Sequence, residues 1–150
     1  MKLFFRGFSG YIFLIILLIF PFFNLPADEK KEIEDFIDNY FKTWSKGDIQ
    51  SYSNLFFPTA VIQFREKSGK VFTENINNFL EGQRISQSNT TDLLTEIPTS
   101  KKIDTGKDVS FARVTWKMTG RGKLVTGWDY FILIKNKDTW KIQYLLFSND

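Results

Sequence analysis

Apolar residues recur at helical spacing once the chain has passed residue 27. Between Asp28 and Ser45 they return every three or four positions, which predicts one long amphipathic helix. The stripe consists of Ile33, Phe36, Ile37, Tyr40, Phe41 and Trp44. Gly47 suits the end of this helix, and Asp48 can cap a short second helix that Pro58 stops. Thr73 can cap a third helix, whose apolar side chains are Ile76, Phe79 and Leu80.

Outside these helices, from residue 60 onward, apolar and polar residues alternate, which predicts strands. Residues 60–65 and 70–72 form a predicted hairpin, and residues 92–103, 109–119, 123–135 and 139–147 a meander of four strands. Pro98 cannot donate a ladder hydrogen bond, so the first meander strand should lie at an edge or bend there. This order of elements predicts an α+β domain in which three helices pack into a strongly curved, mixed or antiparallel sheet.

The pairing of the last three strands follows from where their turns lie. Three-residue turns at residues 120–122 and 136–138 place Arg113 opposite Asp129 and Tyr130 opposite Tyr144. The face that the helices should cover then collects Ala112, Val114, Trp116, Met118, Trp128, Tyr130, Ile132, Trp140, Ile142, Tyr144 and Leu146. The other face carries a cross-strand ion pair among several apolar residues, which favours a homodimer that packs sheet to sheet.

The first 27 residues have the layout of a secretory signal peptide. Lys2 and Arg6 give a basic start, residues 11–20 are apolar, and two prolines follow. We therefore expect an exported protein, periplasmic or secreted, whose mature domain comprises residues 28–150. The alternative is an uncleaved membrane anchor formed by residues 8–23, although the apolar run is short of the roughly 20 residues that a spanning helix needs.

The composition narrows the possible chemistry. The chain has no His and no Cys, which excludes thiolate catalysis, Ser-His-acid triads and the common zinc and iron ligand sets. No cofactor and no metal are therefore expected. With Lys2 and Arg6 removed, the 20 basic residues fall to 18 against 17 acidic ones, and no basic block offers a nucleic-acid surface. Aromatic residues make up 17% of the chain, which favours a sheet-rich core or a ligand-lined cavity.

Two segments resemble the nuclear transport factor 2-like superfamily, which includes the small polyketide cyclase-like (SnoaL-like) and ketosteroid isomerase-like proteins. Residues 127–147, an aromatic-rich strand, a polar turn and then Trp-Lys-Ile, are similar to the closing hairpin of that fold. Residues 40–48 are similar to the end of its first helix. The resemblance spans residues 33–148 and implies a cone-shaped α+β barrel with a pocket. It implies no activity, because the superfamily hosts isomerases, dehydratases, cyclases, transport adaptors and proteins of unknown role.

The candidate ligand pocket combines aromatic side chains with one carboxylate. Its residues are Tyr40, Trp44, Phe79, Glu96, Trp116, Trp128, Tyr130 and Tyr144. The aromatic residues form either a packed core or the walls of a cavity, and Glu96 either points into it or is a solvated strand residue. Arg84 lies either at the rim or at a solvated helix end. Asp129 is expected on the outer face, in its ion pair with Arg113.

Three functions remain open at this point. The leading hypothesis is an exported, non-catalytic module that binds a small apolar or aromatic ligand, and no catalytic residue is assigned. The second is an acid-base enzyme of the isomerase, dehydratase or cyclase type. It requires an inward-facing Glu96 or Asp129 near a tyrosine. The third is a dimeric interaction domain that works through its outer sheet face.

Overall fold

The computed structural model describes residues 26–88 and 92–150, with side chains from residue 28 onward. The described helices are α1 (Pro26–Ser45), α2 (Ile49–Ser53) and α3 (Ile76–Ser86). The described strands are β1 (Phe56–Arg65), β2 (Val71–Asn75), β3 (Thr95–Asp104), β4 (Val109–Gly120), β5 (Lys123–Asn136) and β6 (Thr139–Asn149). The predicted order of elements and the α+β class are confirmed.

All the described strands belong to one mixed sheet in the order β2-β1-β6-β5-β4-β3. Only β1 and β6 run parallel, and every other neighbouring pair is antiparallel. Because β2 and β3 are both edges, the sheet is open and the cone is not a closed barrel. The helices cover its inner face, where α1 buries Ile33, Ile37 and Phe41 in the core.

Two boundaries differ from the prediction. Pro58 does not end a helix but lies inside β1, which begins at Phe56. Asn75, not Thr73, caps α3, and its side chain accepts a hydrogen bond of 2.9 Å from the backbone of Asn78. The reason is that β2 stays paired with β1 as far as Asn75, so the helix cannot begin earlier.

The register predicted between β4 and β5 is wrong by one residue. The turn has two residues, Arg121 and Gly122, because Gly120 pairs with Lys123. Both turn residues have positive φ, 53° and 66°, as the two-residue turns that match strand twist require. Arg121 is held in this conformation by hydrogen bonds from its guanidinium to the carbonyls of Ser86 and Asp92.

The slip reverses the two faces of β5. Asp129 now faces Val114 and points inward with Phe131, while Arg113 faces Tyr130. The predicted ion pair of Arg113 with Asp129 is therefore wrong, and the arginine instead lies 5.6 Å from the Tyr130 ring on the outer face.

A second slip and a bulge affect β6. The turn after β5 also has two residues, since Asn136 pairs with Thr139, and the ladder shifts again between Leu133 and Ile132. Trp140 and Ile142 point inward as predicted, but beyond the bulge it is Leu145 that is buried. The residues predicted to be inward that face outward are Trp128, Tyr130, Ile132, Tyr144 and Leu146.

The expected leader, residues 1–27, and the alternative anchor at residues 8–23 lie outside the residues whose side chains the structure describes. Across the part of the chain that is described, no helix has the length and apolarity to cross a membrane.

Candidate functional site

A cavity of about 130 Å³ lies between the helices and the inner face of the sheet. Helix α1 supplies its floor, α3 one wall, and strands β3 to β6 the opposite wall. The side chains that line it are Tyr40, Trp44, Tyr52, Phe79, Gln83, Glu96, Trp116, Met118, Asp129, Phe147 and Asn149. Aromatic walls with a few convergent polar groups are typical of small-molecule sites.

The structure brings five of the eight predicted pocket residues together at this cavity. They are Tyr40, Trp44, Phe79, Glu96 and Trp116. The other three, Trp128, Tyr130 and Tyr144, lie on the outer face because of the two register slips. Sequence reasoning missed Tyr52, Gln83 and Phe147, and it placed Asp129 on the wrong face. The signal that could have found Asp129 is the turn: two turn residues, Arg121 and Gly122, instead of three place Asp129 on the inner face.

Asp129 is the better-enclosed carboxyl group of the cavity, with 3% of its surface exposed. The indole N–H of Trp116 donates a hydrogen bond of 2.7 Å to its Oδ1. Burial raises the pKa of Asp129 to about 7, while Trp116 and the nearby Tyr40 hydroxyl favour the charged form and limit the rise. This carboxyl group therefore changes charge near neutral pH.

Glu96 is the second carboxyl group of the cavity and reaches it from edge strand β3. Its backbone N–H and carbonyl both bond the Ser45 hydroxyl, at 2.8 and 2.9 Å, which fixes the strand against the end of α1. Burial first, and then the charge of Asp129, raise the pKa of Glu96 well above its ordinary value. Of the two open interpretations of Glu96, the structure places it in the cavity.

The two carboxyl groups influence each other, because the charge of Asp129 adds to burial in raising the pKa of Glu96. Asp129 receives the Trp116 hydrogen bond, which stabilises a carboxylate, and it therefore ionises first. Burial and that charge raise the pKa of Glu96 and so favour its neutral, proton-bearing form. The two side chains are thus an ionised acceptor and a neutral donor in one cavity.

Two tyrosines complete the polar lining. The rings of Tyr40 and Tyr52 lie 5.0 Å apart, and Tyr40 also packs edge-on against Phe131 at 5.1 Å. Burial raises the pKa of both phenols well above the ordinary value, so both stay protonated and act as hydrogen-bond donors.

One wall of the cavity is held by glutamines on and just after α3. The Trp44 indole N–H donates to Oε1 of Gln83 at 2.7 Å. Gln87 donates to the carbonyls of Trp44 and Leu94 and accepts from the backbone N–H of Leu94. These bonds join the end of α1 to α3 and to the start of β3. Arg84, on the same helix, is a solvated helix end paired with Glu81 at 2.7 Å.

No cluster of three or more metal-ligating side chains is found within residues 28–88 and 92–150. The side chains of Asp129, Glu96 and the two tyrosines can transfer protons and form hydrogen bonds in this cavity.

Comparison with families of known proteins gives one match, which covers nearly all of the described chain. The model of the family described as "Putative lumazine-binding" matches residues 28–148. No curated protein matches the sequence.

Solved structures with the same fold are distant in sequence. A putative dehydratase from the NTF2-like family of Streptomyces avermitilis superposes with a TM-score of 0.70 at 14% identity, covering 83% of this chain and 98% of that one. A putative scytalone dehydratase from Novosphingobium aromaticivorans gives 0.67 at 14% identity, with 83% and 85% covered. A protein of unknown function from Mycobacterium tuberculosis gives 0.66 at 19%, with 83% and 76% covered. These superpositions establish that the fold is NTF2-like. At such low identities they establish nothing further.

Proposed function

The chain belongs to the family described as putative lumazine-binding, and from this premise we propose that it binds a small, flat ligand in the inner cavity and transfers a proton on it. Asp129 is the proposed base, and Glu96 and Tyr40 are the proposed hydrogen-bond donors. This proposal corresponds to the acid-base enzyme, the second of the three functions that the sequence left open.

Two carboxyl groups in one cavity, the buried Asp129 and the half-buried Glu96, carry this proposal. Burying an ionisable group without a cation costs several kcal/mol, on the order of 1.4 kcal/mol for each pKa unit. Among the described ion pairs, none includes Asp129 or Glu96. A fold that needed only packing at these positions would be more stable with apolar residues. Paired acids with raised pKa values in a cavity are typical of sites that move protons.

The arrangement suits a ligand with an acidic C–H next to a carbonyl group. The Asp129 carboxylate takes that proton, the C–H electron pair moves toward the carbonyl oxygen, and a proton-bearing Glu96 or Tyr40 stabilises the negative charge that develops there. Return of the proton to another carbon completes an isomerisation. Alternatively, loss of a hydroxyl group, which takes up a proton as it leaves, completes a dehydration.

The test uses a general substrate for desolvated carboxylate bases, 5-nitrobenzisoxazole. Its ring opens when a base removes one proton, and the nitrophenolate product is followed by absorbance. The proposal expects a rate that rises with pH around 7 and falls at least about tenfold in Asp129→Asn, since a positioned base contributes roughly 10²- to 10⁴-fold. The amide oxygen that this substitution introduces can still accept the Trp116 hydrogen bond, so the fold should be retained.

The control is Asp38→Asn on the exposed side of α1, which removes one carboxylate outside the cavity and should leave the rate unchanged. Equal rates for wild type and Asp129→Asn, with both folded by circular dichroism, would contradict the proposed base.

A non-catalytic binding module remains the second candidate. The binding named in the family description favours it. In that case an aromatic ligand should quench the fluorescence of Trp44 and Trp116, but wild type and Asp129→Asn should open 5-nitrobenzisoxazole equally slowly.

Homodimerisation through the outer face is also part of the proposal. A second groove, of about 560 Å³, lies there beside Phe111, Tyr130 and Tyr144. Basic Lys102 and Arg113 and acidic Asp104 line the same groove, so two copies related by a two-fold axis can pair opposite charges. Sedimentation velocity should show a dimer that Phe111→Glu dissociates, whereas a monomeric wild type at about 100 μM would contradict it.

Export is proposed from the leader alone. N-terminal sequencing of the protein recovered from the periplasm or medium should begin at Asp28. A full-length chain in the membrane fraction would instead support the anchor at residues 8–23.

A further inference from the structure

A separate cavity of about 390 Å³, which we call the outer cleft, lies next to the inner cavity. It is distinct from the groove of about 560 Å³ on the outer face of the sheet. Its walls are Phe64 on β1, Phe72 and Glu74 on β2, and the end of β6. Phe147 and Asn149 line both cavities, which makes them the partition between the two. The Phe147 ring lies 5.2 Å from that of Phe64 and 5.9 Å from that of Phe79, so one aromatic series continues from the inner cavity to the outer.

The inner cavity alone is small for a ligand site. Sites for drug-sized molecules have volumes of roughly 300 to 1,000 Å³, whereas the inner cavity has about 130 Å³. The outer cleft brings the combined space into that range. A drug-sized ligand that reached Asp129 and Glu96 would therefore have to extend past Phe147.

Glu74 gives the outer cleft its chemical preference. It is half-buried, and it takes part in none of the ion pairs or side-chain hydrogen bonds found within the described residues. Burial raises its pKa, because the carboxylate is partly withdrawn from water. Aromatic faces attract cations as well, and the ammonium group of Lys70 already lies 4.3 Å from the centre of the Phe72 ring.

The charged groups that line the two cavities also favour a cationic ligand or an N–H donor. Their titratable lining residues, as far as the structure describes the chain, are Glu74, Glu96, Asp129 and two tyrosines, with no Lys or Arg, and Lys70, which lies over the Phe72 ring, is outside that lining. An anionic ligand would meet like charge at each end, whereas a cation or an N–H donor finds a carboxylate.

We propose that the outer cleft is a second subsite of the same ligand, which is a flat aromatic molecule carrying an amine or similar N–H donor that Glu74 binds at its distal end. This inference rests on the proposed function of the inner cavity, because the proximal end of the ligand occupies that site.

The experiment compares three indoles of nearly equal shape: tryptamine, a cation; tryptophol, a neutral alcohol; and indole-3-propionate, an anion. Each is titrated into ¹⁵N-labelled protein and followed by ¹H–¹⁵N NMR. The indole N–H signals of Trp44 and Trp116 report on the inner cavity, since both groups lie in its wall. The backbone N–H signals of Phe72 and Glu74 report on the outer cleft.

Tryptamine should shift the signals of both cavities. It should bind about tenfold more tightly than tryptophol, because one charge-assisted hydrogen bond contributes roughly that factor in affinity. Indole-3-propionate should bind most weakly. Glu74→Gln should remove the preference for tryptamine. The control Glu66→Gln, which removes a carboxylate from the turn of the same hairpin, should keep it.

The outcomes separate the two proposals. Equal affinity for the three indoles, with shifts at Trp44 and Trp116, overturns the subsite and leaves the inner site standing. Shifts at Phe72 and Glu74 alone, with the preference for tryptamine, support the subsite chemistry and contradict a ligand that enters the inner cavity. A preference that survives in Glu74→Gln overturns the role of Glu74.

Discussion

The Trp116 indole N–H donates to Oδ1 of Asp129 at 2.7 Å, across the adjacent strands β4 and β5. The bond is possible because Gly127 lies directly opposite Trp116 and leaves room for the ring. A Cβ atom at position 127 would overlap both the Trp116 ring and the Ser148 carbonyl oxygen. A tryptophan, a glycine and a carboxylate thus form one unit at the wall of the cavity.

Removing the donor of this hydrogen bond should raise the pKa of Asp129 further. In Trp116→Phe the carboxylate loses the bond that stabilises its charge, so the pKa should move above about 7. Carbon-13 NMR of the labelled Asp carboxyl groups measures the midpoint directly. The control is Trp140→Phe, which removes an indole that bonds Glu32 at 3.3 Å and should leave the Asp129 midpoint in place. A downward shift in Trp116→Phe would contradict the assignment.

Asp129 should make the wild-type protein less stable as the pH rises. Its folded pKa, about 7, exceeds the ordinary value of 3.8, so the folded state binds this proton more tightly than the unfolded state does. The stabilisation is complete below about pH 4 and is lost as the pH rises through 7. Its size is about 4 kcal/mol, at roughly 1.4 kcal/mol for each pKa unit.

Asp129→Asn removes this dependence, and the comparison cancels the titration of the acids outside the cavity. The free energy of unfolding of the variant, relative to wild type, should increase by up to about 4 kcal/mol between pH 4 and pH 8. Urea unfolding at both pH values measures it. Parallel pH profiles for the two proteins would show that Asp129 keeps an ordinary pKa.

Gly127→Ala should be destabilising even though the backbone there needs no positive φ. The added methyl group would overlap the Trp116 ring and the Ser148 carbonyl, and we expect a loss of about 2–4 kcal/mol. Gly82→Ala on α3 is the matched control, because nothing lies within 4 Å of its added methyl group. A helical Ala in place of Gly should stabilise by about 0.5–1 kcal/mol. Thermal unfolding that ranks the two substitutions in the opposite order would refute the close packing at Gly127.

Gln87 should be important for stability although it binds nothing in the cavity itself. It is 4% exposed, and its amide satisfies the carbonyls of Trp44 and Leu94 together with the Leu94 N–H. Gln87→Ala leaves these groups without partners, which should cost about 2–4 kcal/mol by chemical denaturation. Gln50→Ala, at an exposed position of α2, should cost almost nothing. Similar losses for both would indicate that water replaces the Gln87 amide.

The sequence predicted the buried side chains correctly where the pattern within a single segment was enough to assign them. The stripe of α1 was recognised because its spacing does not depend on any partner, and Tyr40 and Trp44 are buried on that stripe. On β4, Trp116 was assigned to the correct face for the same reason. Trp128 and Tyr130 on β5 were not, because the face of a strand depends on its pairing, which the turn fixes.

The sequence by itself determined the order of helices and strands, the NTF2-like fold and the absence of histidine and cysteine chemistry. The order of elements and the absent chemistry follow from periodicity and composition, which belong to single segments, and the fold follows from the resemblance of residues 40–48 and 127–147 to that superfamily. Only the tertiary structure decided that Asp129 points into the cavity that Glu96 also lines. With a side-chain period of two, a turn shorter by one residue exchanges the faces of a strand, and the positive φ of Arg121 that permits this turn is held by contacts with Ser86 and Asp92.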